Sequence, residues 1–253
     1  MQKSLQKKLY AMRDSGAIVS EALELCRRLA LPGVTTAAID AKVEELIRSY
    51  GAKPSFKGYG GFPASTCISV NEVIVHGIPG KRKLLEGDIV GFDVGAFLGG
   101  YHGDAALTIP IGEVDEESRQ LMLVTWKSLK AGVAKAQPGN KIGDIGSAVQ
   151  KVAEKAGFHV VRDFTGHGIG KKLHERPQIP NYGRRGSGAT IKVGDALAIE
   201  PMVNVGTVAM KILPDNWTAV VYDGSRSAHY EFTVFITEDG PEILTPHNGP
   251  GFD

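Results

Sequence analysis

The stretch Asp88-Ile-Val-Gly-Phe-Asp93-Val-Gly-Ala-Phe-Leu-Gly-Gly-Tyr-His-Gly-Asp104 predicts a β-hairpin that brings two carboxylates together. Its arms are rich in apolar residues, and Gly99-Gly100 tolerates the positive φ of a tight turn. A turn around Leu98 and Gly99 places Asp93 directly opposite Asp104, with Cβ atoms roughly 4.5–5.5 Å apart. Because like charges at that distance destabilise a hairpin, we expect something positive between them.

The same unit recurs later in the chain. Pro32-Gly33 returns as Pro138-Gly139 at an offset of 106 residues, each followed by an amphipathic helical pattern that ends at a glycine. The repeated positions around the acids are Asp93 with Glu200, His102 with His229, and Asp104 with Glu231, at offsets of 107 and 127 residues. Each half therefore contributes two carboxylates. We predict one domain over residues 1–253 with two pseudo-symmetric halves, about 1–120 and 121–253.

The hydrophobic periodicity predicts an α+β fold: a curved antiparallel sheet covered on one face by two helix pairs. The predicted helices lie near 2–30, 36–50, 115–136 and 143–155. The predicted strands lie near 65–70, 73–76, 88–97, 101–111, 158–164, 195–204, 217–222 and 228–237.

The composition is that of an ordinary globular protein. The chain has 29 Lys+Arg against 28 Asp+Glu, so no global charge favours nucleic acid or a membrane surface as its main partner. Its two cysteines, Cys26 and Cys67, are too few for a disulfide framework. Charges interrupt the first 31 residues, so no signal peptide is predicted, and no window suits a membrane span. We expect a cytoplasmic protein without a membrane partner.

The acids of the second half lie in apolar surroundings. Glu200 stands within Ala196-Leu-Ala-Ile-Glu200-Pro-Met-Val, and Glu231 within Ala228-His-Tyr-Glu231-Phe-Thr-Val-Phe. A single acid of this kind more often faces solvent from a half-exposed strand. Four acids at repeated positions favour a metal centre instead, since a buried carboxylate is costly unless it is paired or bound to metal.

His167 supplies a nitrogen to this oxygen-rich set. It lies in Gly-His167-Gly-Ile-Gly170, where the glycines allow close approach of the backbone. Five such ligands suit Mn, Fe, Co or Zn, and bridging carboxylates can hold two ions about 3.5–4 Å apart. Because His167 has no counterpart in the first half, we expect two inequivalent ions, of which the histidine-bound ion is the tighter.

Several motifs resemble one enzyme family. They are Cys67-Ile-Ser-Val-Asn-Glu-Val-Ile-Val-His76-Gly-Ile-Pro79, Gly-His167-Gly-Ile-Gly, Leu173-His174-Glu-Arg-Pro177 and Ile199-Glu200-Pro-Met202. Together they are similar to the type I methionine aminopeptidases of the short bacterial kind, over nearly the whole chain. The resemblance implies the pita-bread fold and removal of the initiator methionine from nascent proteins when the second residue is small.

The resemblance also implies roles for individual residues. Asp104 and Glu231 would bridge two divalent ions, His167 and Glu200 would complete one site, and Asp93 would complete the other. A metal-bridging hydroxide would attack the peptide bond with Glu200 as general base, while His76 and His174 contact the substrate. The implied methionine pocket consists of Tyr59, Phe62, Cys67 and Trp217. Asn71, Val73 and Ser227 match positions that can bind one Na or K ion. The chain departs from the family's better-known pattern at Phe56, Leu173 and Phe232.

Two alternatives remain at this stage: a prolidase-like aminopeptidase, and a catalytically inactive pita-bread protein that binds partners. Prolidases share the ligands but usually carry an extra N-terminal domain, and inactive relatives typically lose ligands. The N-termini of nascent polypeptides are the expected partners of a monomeric enzyme. Three basic clusters, Lys81-Arg82-Lys83, Lys171-Lys172 and Arg184-Arg185, are candidates for docking on the ribosome, although such clusters are more often solvated loops.

Overall fold

Four helices form two packed pairs in the computed structural model, which describes residues 2–252. They are α1 (Lys3–Leu29), α2 (Thr36–Ser49), α3 (Glu116–Val133) and α4 (Ile142–Lys155). Local chemistry sets two of their starts: the Thr35 side chain accepts a hydrogen bond from the Ala38 amide, and Asp115 accepts one from the Ser118 amide. All four predicted helices are present, with ends within three residues of the predicted bounds. None of the helices within residues 2–252 is long and apolar enough to cross a membrane.

Short antiparallel strands make up the rest of the regular structure. They are β1 (Lys53–Pro54), β2 (Thr66–Val70), β3 (Val73–Val75), β4 (Ile89–Leu98), β5 (Tyr101–Pro110), β6 (His159–Val160), β7 (Thr165–Gly168), β8 (Glu175–Pro180), β9 (Ala196–Ile199), β10 (Met202–Asn204), β11 (Met210–Ile212), β12 (Ala219–Val221), β13 (Ser227–His229), β14 (Phe232–Thr237) and β15 (Gly240–Ile243). They pair as β1-β4-β2 with β5 on β4, as β13-β10-β6, as β11-β12-β3, and as β15-β14-β9-β7-β8. The predicted α+β class is confirmed.

The register of the first hairpin differs from the prediction. Asp93 pairs with Ala106, and Asp104 pairs with Gly95, so the two acids are diagonal neighbours and do not face each other directly. The cause is the turn, because Gly99 and Gly100 both adopt positive φ and form the two-residue connection themselves. The shift amounts to two residues of pairing, which leaves both acids on the same face of the sheet.

The two acids of the second half lie where strands are interrupted. The sequence predicted continuous strands over 195–204 and 228–237. In the structure, Glu200 follows the end of β9 and Glu231 precedes the start of β14, and these two strands pair up to Ile199 and Phe232. Pro201 accounts for the first break, since it has no amide hydrogen for the ladder. Each glutamate therefore lies just outside the paired part of its strand, where its side chain can reach the predicted metal centre.

The main core lies between the helices and the strands β4 and β5. Helix α1 packs across both strands, with Val19, Leu23 and Cys26 fully buried. A second apolar cluster includes Phe62 and Leu173, with Trp217 packed against it. Its members Phe56, Phe62, Cys67 and Leu173, together with Trp217, form the apolar wall of the cavity described below.

Glu44 on α2 fixes the segment that leads into this wall. Its carboxylate accepts hydrogen bonds from Arg48 Nε at 2.8 Å, Lys57 Nζ at 2.6 Å and Ser65 Oγ at 2.8 Å. The Lys57 hydrogen bond leads the interactions that lower the pKa of Glu44 to about 2. A carboxyl group whose pKa is lower in the folded state stabilises the fold at pH values above its ordinary pKa. That stability is lost as the pH falls through the folded-state pKa.

We therefore expect Glu44→Gln to lower the free energy of unfolding by about 1–3 kcal/mol at pH 7. The difference from wild type should shrink as the pH falls from about 5 to about 2, because Glu44 becomes protonated there. Urea titrations at several pH values measure this. The control is Glu45→Gln on the same helix, whose side chain is 70% exposed in its pair with Lys42, and which should unfold like wild type. A pH-independent difference for Glu44→Gln would contradict the ionic explanation.

Candidate metal centre

The predicted metal ligands, substrate histidines and pocket residues converge on one cavity of about 170 Å³, smaller than the roughly 300–1,000 Å³ of most ligand pockets. It is lined by Phe56, Tyr59, Phe62, Cys67, His76, Asp93, Asp104, His167, Leu173, His174, Glu200, Trp217 and Glu231. The lining therefore contains the five predicted metal ligands, both predicted substrate histidines and the four predicted pocket residues. A cavity of this size suits one side chain better than a whole peptide.

The five predicted ligands come from five separate chain segments. Asp93 and Asp104 project from β4 and β5, and His167 from β7, while Glu200 and Glu231 lie at the strand breaks. Ligand atoms of Asp104, His167 and Glu231 lie within 4.8 Å of one another. His167 Nε2 is 3.5 Å from Glu200 Oε1 and 4.0 Å from Asp104 Oδ2.

Burial and mutual repulsion dominate the electrostatics of the four acids. Burial raises the pKa of Asp93 to about 7, with Glu200 adding to the shift and His229 acting against it. Burial, followed by the charges of Asp93 and Glu200, raises the pKa of Asp104 well above its ordinary value. The pKa of Glu231 is raised well above its ordinary value by burial and by the other three acids, and that of Glu200 by burial.

These acids fit a centre for two divalent cations. Asp93 Oδ1, Asp104 Oδ1 and Glu231 Oε1 are buried without a hydrogen-bond partner among residues 2–252, which is costly for carboxylate oxygens. Four carboxylates and one imidazole are the donor set of borderline and hard divalent ions. Bound cations would relieve the repulsion, occupy the free oxygens and keep all four acids ionised.

His167 presents the nitrogen that a metal needs. Its Nδ1 lies 2.9 Å from the carbonyl oxygen of Gly168, so Nδ1–H donates there and Nε2 keeps its lone pair toward the acids. Burial lowers the pKa of His167 to about 4, which keeps the ring neutral at pH 7. The flanking glycines are required: a Cβ on Gly166 would lie 2.4 Å from the Ala198 oxygen, and one on Gly168 would lie 2.3 Å from the Arg176 oxygen.

Residues that the sequence did not single out support the ligands from behind. The Asp104 amide donates to Thr233 Oγ1 at 3.0 Å, and that hydroxyl donates to the Asp104 carbonyl oxygen at 2.7 Å. Asn181 Nδ2 donates to the Glu200 carbonyl oxygen at 3.1 Å, and His247 Nε2 lies 3.2 Å from the Glu231 carbonyl oxygen. Only their places in the fold reveal these contacts, since nothing in the local sequence around them signals a site.

The predicted pocket residues form the apolar wall. Phe62 and Trp217 meet edge to face with ring centroids 5.1 Å apart. Burial, followed by nearby carboxylates, raises the pKa of Cys67 well above its ordinary value, so this side chain is a neutral thiol.

The three departures from the family's pattern fall in two places. Phe56 and Leu173 line the cavity, so they shape the pocket itself. Phe232 is buried against Trp126 and His247, outside the lining. None of the three is a metal ligand in the predicted set.

The two predicted substrate histidines stand at the ends of strands. His76 follows β3 with φ of 59°, a left-handed conformation that is rare outside glycine, and its ring contacts Phe164 and Trp217 edge to face. Burial lowers the pKa of His76 to about 4. His174 precedes β8, and its Nδ1 lies 2.7 Å from the Tyr59 hydroxyl. Burial also lowers the pKa of His174.

The predicted monovalent-cation residues also lie together. Asn71 occupies the turn between β2 and β3, Val73 begins β3 and Ser227 begins β13. The Asn71 carbonyl oxygen accepts a hydrogen bond from the Ser227 amide at 2.9 Å. Binding of Na or K there stays a prediction.

Comparison with known proteins agrees with this geometry. The pattern of metallopeptidase family M24 matches residues 10–238. The chain is 54% identical to methionine aminopeptidase of Clostridium acetobutylicum over 235 residues, 92% of this chain and 94% of that protein. It is 48% identical to methionine aminopeptidase 1 of Bacillus subtilis over 239 residues, 94% and 96% of the two chains. The crystal structure of methionine aminopeptidase from Thermotoga maritima superimposes with a TM-score of 0.94 at 45% identity, covering 98% of each chain.

The chain belongs to metallopeptidase family M24 and has its pita-bread fold. Within that family its place is among the bacterial type I methionine aminopeptidases. The resemblance inferred from the motifs is therefore confirmed.

Proposed function

We propose that this chain removes the N-terminal methionine from peptides and nascent proteins whose second residue is small. The observation that carries the proposal is a single cavity of about 170 Å³ that the carboxylate cluster and the apolar wall line together. An unbranched thioether side chain fits such a cavity, and aromatic ring edges and the Cys67 thiol are favourable neighbours for its sulfur. The scissile bond would then lie over the acids.

Asp93, Asp104, His167, Glu200 and Glu231 would hold two divalent ions, drawn from Mn, Fe, Co and Zn. When bound, such ions would supply Lewis acidity, which can lower the pKa of a bound water from 15.7 toward about 7. Glu200 would act as general base and take a proton through its carboxylate.

His76 and His174 would stabilise the charge that develops on the substrate. Burial lowers the pKa of both imidazoles, so both are neutral at pH 7. A neutral imidazole keeps one N–H, which would donate a hydrogen bond to the oxygen that becomes negative in the tetrahedral intermediate.

The cellular setting belongs to the same proposal. Free cysteines such as Cys26 and Cys67 are typical of the reducing cytoplasm. The proposed substrate, the N-terminus of a nascent protein, also arises there. We infer that the enzyme acts there as a monomer on emerging N-termini. The basic clusters 81–83, 171–172 and 184–185 would favour approach to ribosomal RNA, an interaction that should weaken steeply with salt.

Three peptides test the reaction. With Mn(II) or Co(II), we expect cleavage of Met-Ala-Ser, little cleavage of Met-Lys-Ser and none of Ala-Pro-Ala. A chelator should abolish the activity, and added metal should restore it. Cleavage of Ala-Pro-Ala alone would establish a prolidase-like enzyme instead, and no cleavage by fully metal-loaded protein would indicate a binding protein.

A further inference from the structure

His229 faces the carboxylate cluster, and neither the motifs nor the proposed mechanism uses it. It ends β13, two residues before Glu231, and its side chain is 5% exposed. Its Nε2 is buried and has no hydrogen-bond partner among residues 2–252. A buried nitrogen without a hydrogen-bond partner destabilises the fold, so its position calls for a function.

The spacing of this nitrogen is that of a metal ligand. His229 Nε2 lies 3.5 Å from Glu200 Oε2, while His167 Nε2 lies 3.5 Å from the other oxygen, Oε1, of the same carboxylate. Two atoms about 2.1 Å from one ion lie about 3.4 Å apart at a tetrahedral angle. The distance is longer than the roughly 2.7–3.2 Å of an N–H···O hydrogen bond.

Neighbouring groups place His229 in a second set of possible ligands. Ligand atoms of His229, Glu200 and Glu231 lie within 4.8 Å of one another, so this set shares Glu231 with the set that contains His167. An imidazole nitrogen beside carboxylate oxygens is a common ligand set for a divalent metal ion.

The fold holds the ring in this place through its backbone. The His229 amide donates to Thr108 Oγ1 at 2.9 Å, and the Thr108 hydroxyl donates to the His229 carbonyl oxygen at 2.9 Å. The other repeat supplies a matched comparison: His102 has the corresponding sequence position, yet its Nδ1 lies 2.9 Å from Ser55 Oγ, so its ring has a hydrogen-bond partner.

We propose that His229 is a sixth metal ligand, whose Nε2 binds one ion together with Glu200 Oε2 and Glu231, while His167 binds the other. Each ion then has one nitrogen ligand, and Glu200 lies between the two histidines. The assignment rests on the proposed dinuclear centre and adds a ligand that the motifs do not contain. It also revises the expectation of one histidine-bound and one oxygen-only ion.

The test compares Co(II) binding by wild type, His229→Gln and His102→Gln. We expect His229→Gln to bind one of its two Co(II) ions at least tenfold more weakly, with a changed visible absorption spectrum, and to bind the other as wild type does. His102→Gln should match wild type in both measurements. Because glutamine can still donate a hydrogen bond to Glu200, a loss in this variant reports on the missing metal ligand.

A second measurement needs no His229 variant. Pulsed electron paramagnetic resonance of the Mn(II)-loaded wild type should detect two coordinated imidazole nitrogens, and His167→Gln should leave one. A single nitrogen in wild type, or unchanged Co(II) affinities and spectrum in His229→Gln, would overturn the assignment while leaving the proposed function intact. A wild-type chain that binds no divalent ion and cleaves no peptide would overturn both.

Discussion

Glu200→Gln is expected to reduce turnover of Met-Ala-Ser by roughly a thousandfold while the protein stays folded. General-base catalysis contributes roughly 10²–10⁴-fold, and an amide cannot accept the proton. The fold should tolerate the change because glutamine is nearly isosteric, and the Asn181 hydrogen bond at 3.1 Å goes to the Glu200 backbone oxygen and not to its side chain. Removing one of four mutually repelling acids should leave the unfolding temperature unchanged or raise it.

The measurement combines steady-state kinetics, metal content and thermal unfolding. Glu242→Gln is the control: its carboxylate pairs with Arg13 at 2.6 Å on the surface, so this variant should retain wild-type turnover. If Glu200→Gln binds two ions and still turns over normally, Glu200 is not the base. Loss of both ions would mean that Glu200 acts in metal binding alone. Turnover of Glu200→Gln at saturating metal distinguishes the loss of the base from the loss of the metal ions.

The first hairpin shows what an alternating pattern can predict. Asp93 and Asp104 were expected on one face, and they are, because an even shift in register preserves the faces of a β-ladder. The direct opposition of the two acids was wrong. A two-residue turn could form at Leu98-Gly99 or at Gly99-Gly100, and the chain uses the second, where both residues adopt positive φ. The alternating pattern determines which face of the sheet a side chain occupies, while the turn geometry determines its cross-strand partner.

Strand β7 and His229 show where sequence reasoning ends. Thr165–Gly168 has no apolar alternation, so it was not predicted as a strand, and it forms one only between β8 and β9. His102 and His229 share a repeat position, yet one contacts Ser55 and the other faces the acids. Tertiary packing creates that difference, and a pattern of residue types cannot encode it.

A hydrogen bond connects Tyr59 of the pocket with His174. The Tyr59 hydroxyl lies 2.7 Å from His174 Nδ1, and when it donates to Nδ1 the ring proton resides on Nε2. The His174 ring is 4.3 Å from that of His167, measured between centroids, so Nε2–H is close enough to the metal ligands to stabilise a developing negative charge. Tyr59 would then act on the reaction through His174 by setting its tautomer.

We expect His174→Ala to lower kcat by roughly 10²–10³ with little change in KM, because the lost hydrogen bond forms mainly in the transition state. Tyr59→Phe keeps the ring that lines the pocket and removes only the hydroxyl, so kcat should fall about five- to tenfold. In the His174→Ala background, Tyr59→Phe should have almost no further effect, since the hydroxyl acts through the missing imidazole. Tyr222→Phe, at a side chain 66% exposed, is the control and should behave as wild type. An equal loss from Tyr59→Phe with and without His174 would mean that the hydroxyl contacts the substrate directly and does not orient the histidine.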